Sequence, residues 1–158
     1  MQIHINGWKS CIIFSSAHFI PDYTKCGHIH GHSYAIHVIL DGTIIGTNDI
    51  LFDFSKIKNT VKEIADEIDH KIIVPTKGTI NIEEKKEEIE IKFKNKRYVF
   101  PSNDCFFLPY PASSAEYLAQ YILNNIIKKI QIPSNVEVIK VGVDEGPGQG
   151  AWIEKRLQ

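Results

Sequence analysis

The sequence predicts one α+β domain in which two helices pack on one face of an antiparallel sheet. Three observations indicate this fold. Apolar and polar residues alternate with a period of two in 30–40 and again in 136–143. Between these stretches, 55–69 and 113–130 carry apolar residues at spacings of three and four, as amphipathic helices do. The length of 158 residues fits a single domain, 1–158, with its own core.

The first third of the chain is predicted to form strands. Residues 8–20 are rich in Ile, Phe and Trp and predict the first strand, while Pro, Asp, Lys and Gly in 21–27 predict the loop after it. The second strand is predicted over 30–40. Asp41-Gly42 is a turn signal behind that strand, and 50–53 predicts a further short strand.

The first helix is predicted over 55–69, because its apolar residues share one face while Lys and Glu occupy the other. These apolar residues are Ile57, Val61, Ile64, Ala65 and Ile68. Residues 81–100 then predict an inserted, charged hairpin that turns at Asn95-Lys96. The charge run in 83–90 is expected to form a solvated face of this hairpin.

The second helix is predicted to open at Ser113-x-x-Glu116, which resembles a capping box. Its buried stripe is expected to be Leu118, Ala119, Ile122, Ile126, Ile127 and Ile130, and Pro133 ends it. Two strands follow at 136–143 and 151–155. The glycine-rich loop between them lacks the Lys-Ser/Thr ending and the following helix of a phosphate-binding loop.

Charge and composition exclude several classes of protein. The 18 basic and 19 acidic side chains give a net charge of −1, so no basic excess is available for nucleic-acid phosphates. No apolar run approaches the roughly 20 residues that cross a bilayer. The three widely spaced cysteines do not fit a secreted disulfide framework, and we therefore expect a cytoplasmic protein. These cysteines are Cys11, Cys26 and Cys105.

Histidine is the unusual component, because five of the seven histidines fall within residues 18–37. They are His18, His28, His30, His32 and His37. Residues two apart in a strand point to one face, so His30 and His32 can converge on one ion, with His18 beside them. Three histidines leave a fourth tetrahedral position open, which is typical of catalytic zinc. Other metals also accept imidazole.

The neighbours of these three ligands leave alternatives open. His28 has the same parity and is a rival ligand, whereas His37 falls on the opposite face and is expected to be a surface or core histidine. Cys26 either completes a closed structural Cys-His₃ zinc site or stands beside an open site as a thiolate base. The spacing between Cys26 and His30 does not decide between these roles. His4 has no assigned role.

Three carboxylates and one further histidine are also candidates. Asp69-His70 is a possible proton relay, but the sequence alone favours a helix end at which His suits the dipole. Glu145 follows a strand and could grip a planar ligand through two parallel hydrogen bonds, although a solvated turn residue is the commoner case. Glu116 has a sufficient structural explanation in the capping box.

Several motifs appear together, in an order that resembles the 6-pyruvoyltetrahydropterin synthase / 6-carboxytetrahydropterin synthase family. They are Phe14-Ser-Ser-Ala-His18, Cys26-Gly-His-Ile-His-Gly-His32, Phe52-Asp-Phe54, Ile68-Asp-His70, Ser114-Ala-Glu116 and Val143-Asp-Glu145. The C-x-x-x-H-G-H spacing is more similar to the 6-carboxytetrahydropterin branch than to the pyruvoyl branch. The insertion at 81–100 and the loop after Glu145 depart from the family pattern.

The resemblance implies a role for each matching residue. It implies zinc on His18, His30 and His32, and a T-fold (tunnelling fold) homohexamer, a dimer of trimers with interfacial sites. It implies that Cys26 is the catalytic thiol, that Asp69 and His70 relay its proton, and that Glu145, with Glu116 near it, binds the pterin. The implied substrate is 7,8-dihydroneopterin triphosphate. Lys25 and Lys71 lie near these motifs but are expected to be surface lysines.

The implied reaction gives 6-carboxytetrahydropterin, acetaldehyde and triphosphate, on the route to deazaguanine nucleosides. The same site could instead form 6-pyruvoyltetrahydropterin, or 6-hydroxymethyl-dihydropterin by retro-aldol cleavage. An alternative of another class is a non-catalytic module with a structural zinc held by Cys26 and the histidines.

Overall fold

The computed structural model describes residues 1–45 and 49–157, which form ten strands, two helices and one short 3-10 helix. The elements are β1 (Gln2–Ile5), β2 (Ile13–His18), β3 (His30–Gly42), α1 (Phe54–Ile68), β4 (Lys71–Pro75), β5 (Asn81–Lys85), β6 (Glu88–Phe93), β7 (Lys96–Pro101), the 3-10 helix Ser102–Asp104, β8 (Cys105–Leu108), α2 (Ala115–Lys129), β9 (Val136–Glu145) and β10 (Gly150–Arg156).

The 13-residue strand β3 organises the main sheet, whose order is β10-β9-β3-β2-β4-β8. On one side β3 pairs with β9 along most of its length. On the other side its first half pairs with β2 and its second half with β1. Asp41-Gly42, predicted to be a turn, therefore lies inside β3, at an irregularity in its pairing with β9.

The α+β fold is confirmed, and the sheet is mixed because β4 runs parallel to both β2 and β8. Helix α1 lies directly before β4 in the chain. It allows β4 to run beside β2 in the same direction, because parallel neighbours are usually connected through a helix. Strands β1, β4 and β8 were not predicted from the sequence. Each has only four or five residues, too few for a clear periodicity.

Helix α1 buries the predicted apolar stripe, with Thr60 added to it. The segment 50–53, predicted to be a short strand, instead leads into this helix. Leu51 and Phe52 are buried there, and the Asp53 carboxylate accepts a hydrogen bond from the Ser55 amide as the N-cap. Within the described part of the chain, neither helix combines the length and hydropathy that a bilayer crossing requires.

Helix α2 packs against β9 and β10 through its own apolar face. That face consists of Ala115, Leu118, Ala119, Ile122, Leu123 and Ile126, with Ile127 and Ile130 partly buried beside it. The predicted capping box is wrong in register, because the N-cap is Ser114 and its side chain makes no capping bond. The Ser113 hydroxyl donates instead to the Phe19 carbonyl at 2.7 Å.

The insertion at 81–100 is a three-stranded antiparallel sheet, β5-β6-β7, and not a two-stranded hairpin. One apolar row of β6, which lies among charged residues in the sequence, packs inward. Ile89, Ile91 and Phe93 are buried and pack with Phe19 and Val74 of the main domain. The insertion therefore has a small core that it shares with the end of β2.

Candidate active site

The three predicted metal ligands converge on one side of the main sheet. His18 of β2 is the antiparallel partner of His30 in β3, so their side chains share a face. His32 lies two residues further along β3 and therefore points to the same face. One ring nitrogen from each histidine falls within 4.8 Å of the other two. Among the described residues, this is the one such group of His, Cys, Asp or Glu ligand atoms.

The backbone orients two of these rings. Nδ1 of His18 lies 2.7 Å from the Ser113 carbonyl oxygen, and Nδ1 of His30 lies 2.8 Å from that of His28. Because a carbonyl oxygen only accepts, each Nδ1 carries a proton, and Nε2 is the ring nitrogen left to bind a metal. The two Nε2 atoms face each other at 3.1 Å. A backbone carbonyl bound to the far nitrogen is the usual support of a metal-ligating histidine.

The donor set fits a metal ion. Burial, with the neighbouring His30 and His32 charges, lowers the pKa of His18 to about 4, so this ring is neutral at physiological pH. Nε2 of His32 is buried and has no hydrogen-bond partner among the described residues. A buried polar atom without a partner is costly, and a metal at this point would satisfy it. Three histidines are a common ligand set for zinc.

Glu145 ends β9 beside the three histidines. It is the antiparallel partner of Tyr34, which follows His32 by two residues on the same face of β3. Its Oε1 atom lies 4.0 Å from Nε2 of His18. Burial raises the pKa of Glu145, the Glu116 carboxylate raises it further, and His32 and His30 oppose both effects. The result is a partly desolvated acceptor next to the candidate metal centre.

A cavity of about 440 Å³ lies over the three histidines, and several of the predicted site residues line it. Its lining includes all three histidines, Cys26 and Glu145, together with Ile20, Lys25, His28 and Gln149. Cys26 is partly buried and is not a disulfide. Its sulfur does not belong to the converging ligand group, and neither does the exposed His28. The arrangement therefore places a free thiol beside an open three-histidine centre.

Glu116 lies in the first turn of α2 and lines a second, adjacent cavity of about 500 Å³ that Cys26 and Glu145 also border. A hydrogen bond from the Ser114 side chain lowers the pKa of Glu116. The pKa values of the two carboxyls are thus shifted in opposite directions. The lowered pKa of Glu116 favours its ionised form, and the raised pKa of Glu145 favours its neutral form. Both face the space next to the thiol.

Asp69 and His70 form a defined pair away from this cavity. Asp69 caps the end of α1, and its Oδ2 atom lies 2.8 Å from Nδ1 of His70. Burial raises the pKa of Asp69, but hydrogen bonds from the Ser15 amide and from His70 outweigh it and lower the pKa overall. The His70 side chain is 83% exposed and lines a different cavity with Lys71. One chain does not place this pair in the cavity of Cys26.

Three residues of the site were not predicted from the sequence. The Ser113 carbonyl orients His18, and Tyr34 packs edge-on against the rings of His18 and His32 at 5.9 and 5.6 Å. Gln149 lines the cavity, as does Lys25, which is exposed as expected of a surface lysine. Only Tyr34 had a usable signal, since it shares the parity of His30 and His32 in β3.

His37 lies buried on the opposite face of β3. Of the two roles expected for it, surface or core histidine, the structure supports the core role. Its Nδ1 accepts from the Gly7 amide, so its Nε2 donates to Asp144 at 3.1 Å. The indole of Trp8 donates to the same carboxylate at 2.8 Å. This polar network lies directly behind Glu145 in β9.

Several solved structures with the same fold are 6-pyruvoyltetrahydropterin synthases. The 6-pyruvoyltetrahydropterin synthase of Plasmodium vivax superposes with a TM-score of 0.92 at 31% identity, covering 99% of this chain and 98% of that one. The fold and the site together therefore define a T-fold protein with a candidate three-histidine metal centre.

Sequence comparison identifies the family. The profile of the 6-pyruvoyl tetrahydropterin synthase family matches residues 10–156. A Methanocaldococcus jannaschii protein named "Putative 6-carboxy-5,6,7,8-tetrahydropterin synthase" is 40% identical over 161 residues, 100% of this chain and 99% of that one. The 6-carboxy-5,6,7,8-tetrahydropterin synthase of Aquifex aeolicus is 27% identical over 85% of this chain and 80% of its own length. The chain belongs to the 6-pyruvoyl tetrahydropterin synthase family.

Proposed function

We propose that this protein is a zinc-dependent 6-carboxy-5,6,7,8-tetrahydropterin synthase, with 1–158 as its single domain. One observation carries the proposal: a single cavity is lined by the three converging histidines, by the free thiol of Cys26 and by the carboxylate of Glu145. The substrate would be 7,8-dihydroneopterin triphosphate. With water, it would yield 6-carboxytetrahydropterin, acetaldehyde and triphosphate.

Glu145 would hold the pterin ring. A carboxylate binds adjacent ring N–H and amino donors through two parallel hydrogen bonds, and partial burial strengthens such bonds by excluding water. Glu145 Oε1 lies 4.0 Å from Nε2 of His18, so the ring anchor and the residues that would hold the metal border the same space. Glu116 lines the adjoining cavity and would contact the same ring from the start of α2.

His18, His30 and His32 would hold the zinc ion. A bound zinc ion would polarise the side-chain hydroxyls of the substrate and acidify them and the adjacent C–H. The three rings are suited to this role because two of them are fixed by backbone carbonyls and the third presents a buried nitrogen without a partner. The proposal assigns no metal role to His28.

Cys26 would accept the substrate proton as a thiolate, and Asp69 with His70 would relay it. Because His70 is exposed and lines another cavity in its own chain, we propose that it serves Cys26 of a neighbouring subunit. The proposed assembly is a homohexamer, a dimer of trimers with sites between subunits. Asp69 would fix the imidazole and stabilise its charged form through their 2.8 Å contact.

Two features favour the carboxy product over the pyruvoyl product. The sequence relative with 40% identity over the whole chain carries the 6-carboxy name, whereas the Plasmodium vivax pyruvoyl synthase is 31% identical. The C-x-x-x-H-G-H spacing from Cys26 to His32 also resembles the carboxy branch. The pyruvoyl reaction and the retro-aldol cleavage remain the alternative outcomes of the same site.

The test is an anaerobic incubation of the zinc-loaded protein with 7,8-dihydroneopterin triphosphate, with all products identified by mass. We expect 6-carboxytetrahydropterin and acetaldehyde in equal amounts. Recovery of 6-pyruvoyltetrahydropterin without acetaldehyde, or of 6-hydroxymethyl-dihydropterin, would contradict the assignment of the branch. Complete absence of turnover with zinc bound would favour the non-catalytic zinc module instead.

A further inference from the structure

We propose that the inserted sheet β5–β7 positions the loop that carries Cys26, and that Lys96 is the residue that fixes this loop. The inference rests on the proposed catalytic role of Cys26. The loop, residues 19–29, runs from the end of β2 to the start of β3 and brings Cys26 to the cavity.

Apolar contacts hold both ends of the loop. At its start, the Phe19 ring stacks on Phe93 of β6 with centroids 5.0 Å apart and contacts Tyr98 of β7 at 6.0 Å. At its end, Ile29 packs against the same cluster, which includes Ile89 and Ile91. Phe19 is fully buried by this packing. Both ends of the loop therefore pack on one apolar cluster that the insertion and β4 form together.

Polar contacts hold the interior of the loop. The Lys96 ammonium donates to the carbonyl oxygen of Gly27, the residue directly after Cys26. Asp22 accepts from the Thr79 hydroxyl at 3.0 Å and pairs with Lys94 at 3.6 Å. The loop closes on itself as well, since the Ile20 amide donates to the Cys26 carbonyl at 2.7 Å. Lys96 thus binds the backbone of the residue that follows the Cys26 thiol.

The peptide that joins Cys26 to Gly27 is closely packed. Gly27 is buried, and a side chain at this position would collide with the Tyr23 carbonyl oxygen. A partly buried bond from a charged donor is stronger than a neutral one and fixes the direction of the carbonyl it binds. The lysine stem is also held, because its ammonium lies 5.6 Å from the centroid of the Phe93 ring. Lys96 is accordingly a positioning residue that acts through the loop.

The test compares Lys96→Met, which removes the donor but keeps the stem, with Lys96→Arg, which restores a donor. Lys86→Met is the matched control, since it removes one charge from the β5–β6 turn at the other end of the sheet. Hydrogen exchange of the amides in 20–29 is measured without substrate. We expect about tenfold faster exchange in Lys96→Met, and rates near those of the unmodified protein in the other two variants.

Steady-state kinetics provides the second readout. We expect kcat of Lys96→Met to fall about tenfold at nearly constant KM, because Cys26 is displaced while Glu145 keeps its place. Unchanged loop exchange in Lys96→Met would overturn the proposal, and so would faster exchange with unchanged kcat. If the unmodified protein does not turn over the pterin, the proposed function fails by itself, while the exchange experiment still decides whether Lys96 holds the loop.

Discussion

The Nε2 atoms of His18 and His30 face each other at 3.1 Å, while the Nδ1 atom of each ring lies within 2.8 Å of a backbone carbonyl oxygen. Because the Nδ1 atom of each ring is bonded to a carbonyl oxygen, the two Nε2 atoms are the ring nitrogens that remain for a ligand. A cation at this point would also satisfy the unpartnered Nε2 nitrogen of His32. The geometry suits a metal ion held by the three histidines.

Replacing His30 by alanine tests this site. We expect the purified variant to lose most of its bound zinc, because two remaining histidines make an incomplete ligand set. Metal content is measured by elemental analysis after dialysis against a weak chelator. His4→Ala, at an exposed histidine in β1, is the control and should keep one zinc per chain. Full metal content in His30→Ala would contradict the ligand assignment.

Replacing Cys26 by alanine separates the enzyme from a structural zinc module. We expect zinc content and thermal unfolding to stay unchanged, because the sulfur lies outside the converging ligand group. Turnover should fall by about 10²–10⁴-fold, the usual contribution of an acid–base group. Cys11→Ala, at an exposed cysteine, should retain activity. Joint loss of zinc and stability in Cys26→Ala would instead support the closed Cys-His₃ site.

The proposed subunit sharing predicts complementation between inactive variants. Cys26→Ala and His70→Ala, each nearly inactive, should recover about a quarter of full activity when refolded together, because that fraction of sites combines an intact thiol with an intact imidazole. The matched control mixes Cys26→Ala with the double variant Cys26→Ala/His70→Ala, which cannot build a complete site. Activity in the first mixture no higher than in this control would show that the sites are not shared in this way.

Glu90 of β6 predicts a pH effect on stability. Arg97 first, then Lys92 and Lys85, hold the pKa of this carboxyl well below its ordinary value of 4.5. A lowered pKa in the folded state means that the ion pairs stabilise the protein above pH 4.5 and lose this effect as the pH falls below it. Glu90→Gln should therefore unfold at a lower temperature than the unmodified protein at pH 7.

The difference between the two melting temperatures should shrink as the pH falls below 4.5, since the unfolded chain then binds a proton at Glu90 that the folded protein resists. Glu87→Gln, at an exposed position in the β5–β6 turn, should leave the melting temperature unchanged at every pH. Scanning calorimetry between neutral and acid pH makes the comparison. A constant gap between Glu90→Gln and the unmodified protein across this range would show that the ion pairs do not act as described.

Much of the fold was predictable because it depends on local periodicity. Both helices were found within one or two residues of their ends, and so was the long alternation in β3. The parallel strands β4 and β8 were missed, since partner and direction in a sheet are set by distant residues. The burial of β6 was not predicted either, because the strand contains the charged residue Glu90. Three cations pair with Glu90 in the structure and allow it to be buried.

By itself, the sequence indicated His18, His30 and His32 as candidate ligands, with His28 and Cys26 as rivals. The period of two in a strand places His30 and His32 on one face, and the motifs around Cys26 and Glu145 indicated the family. Only the tertiary structure decided that β2 pairs His18 with His30, that backbone carbonyls bond to the Nδ1 atoms of both rings, and that the insertion contacts the Cys26 loop. The spacing of residues within a strand fixes which face each side chain points to. Distances between strands and loops depend instead on how the whole chain packs.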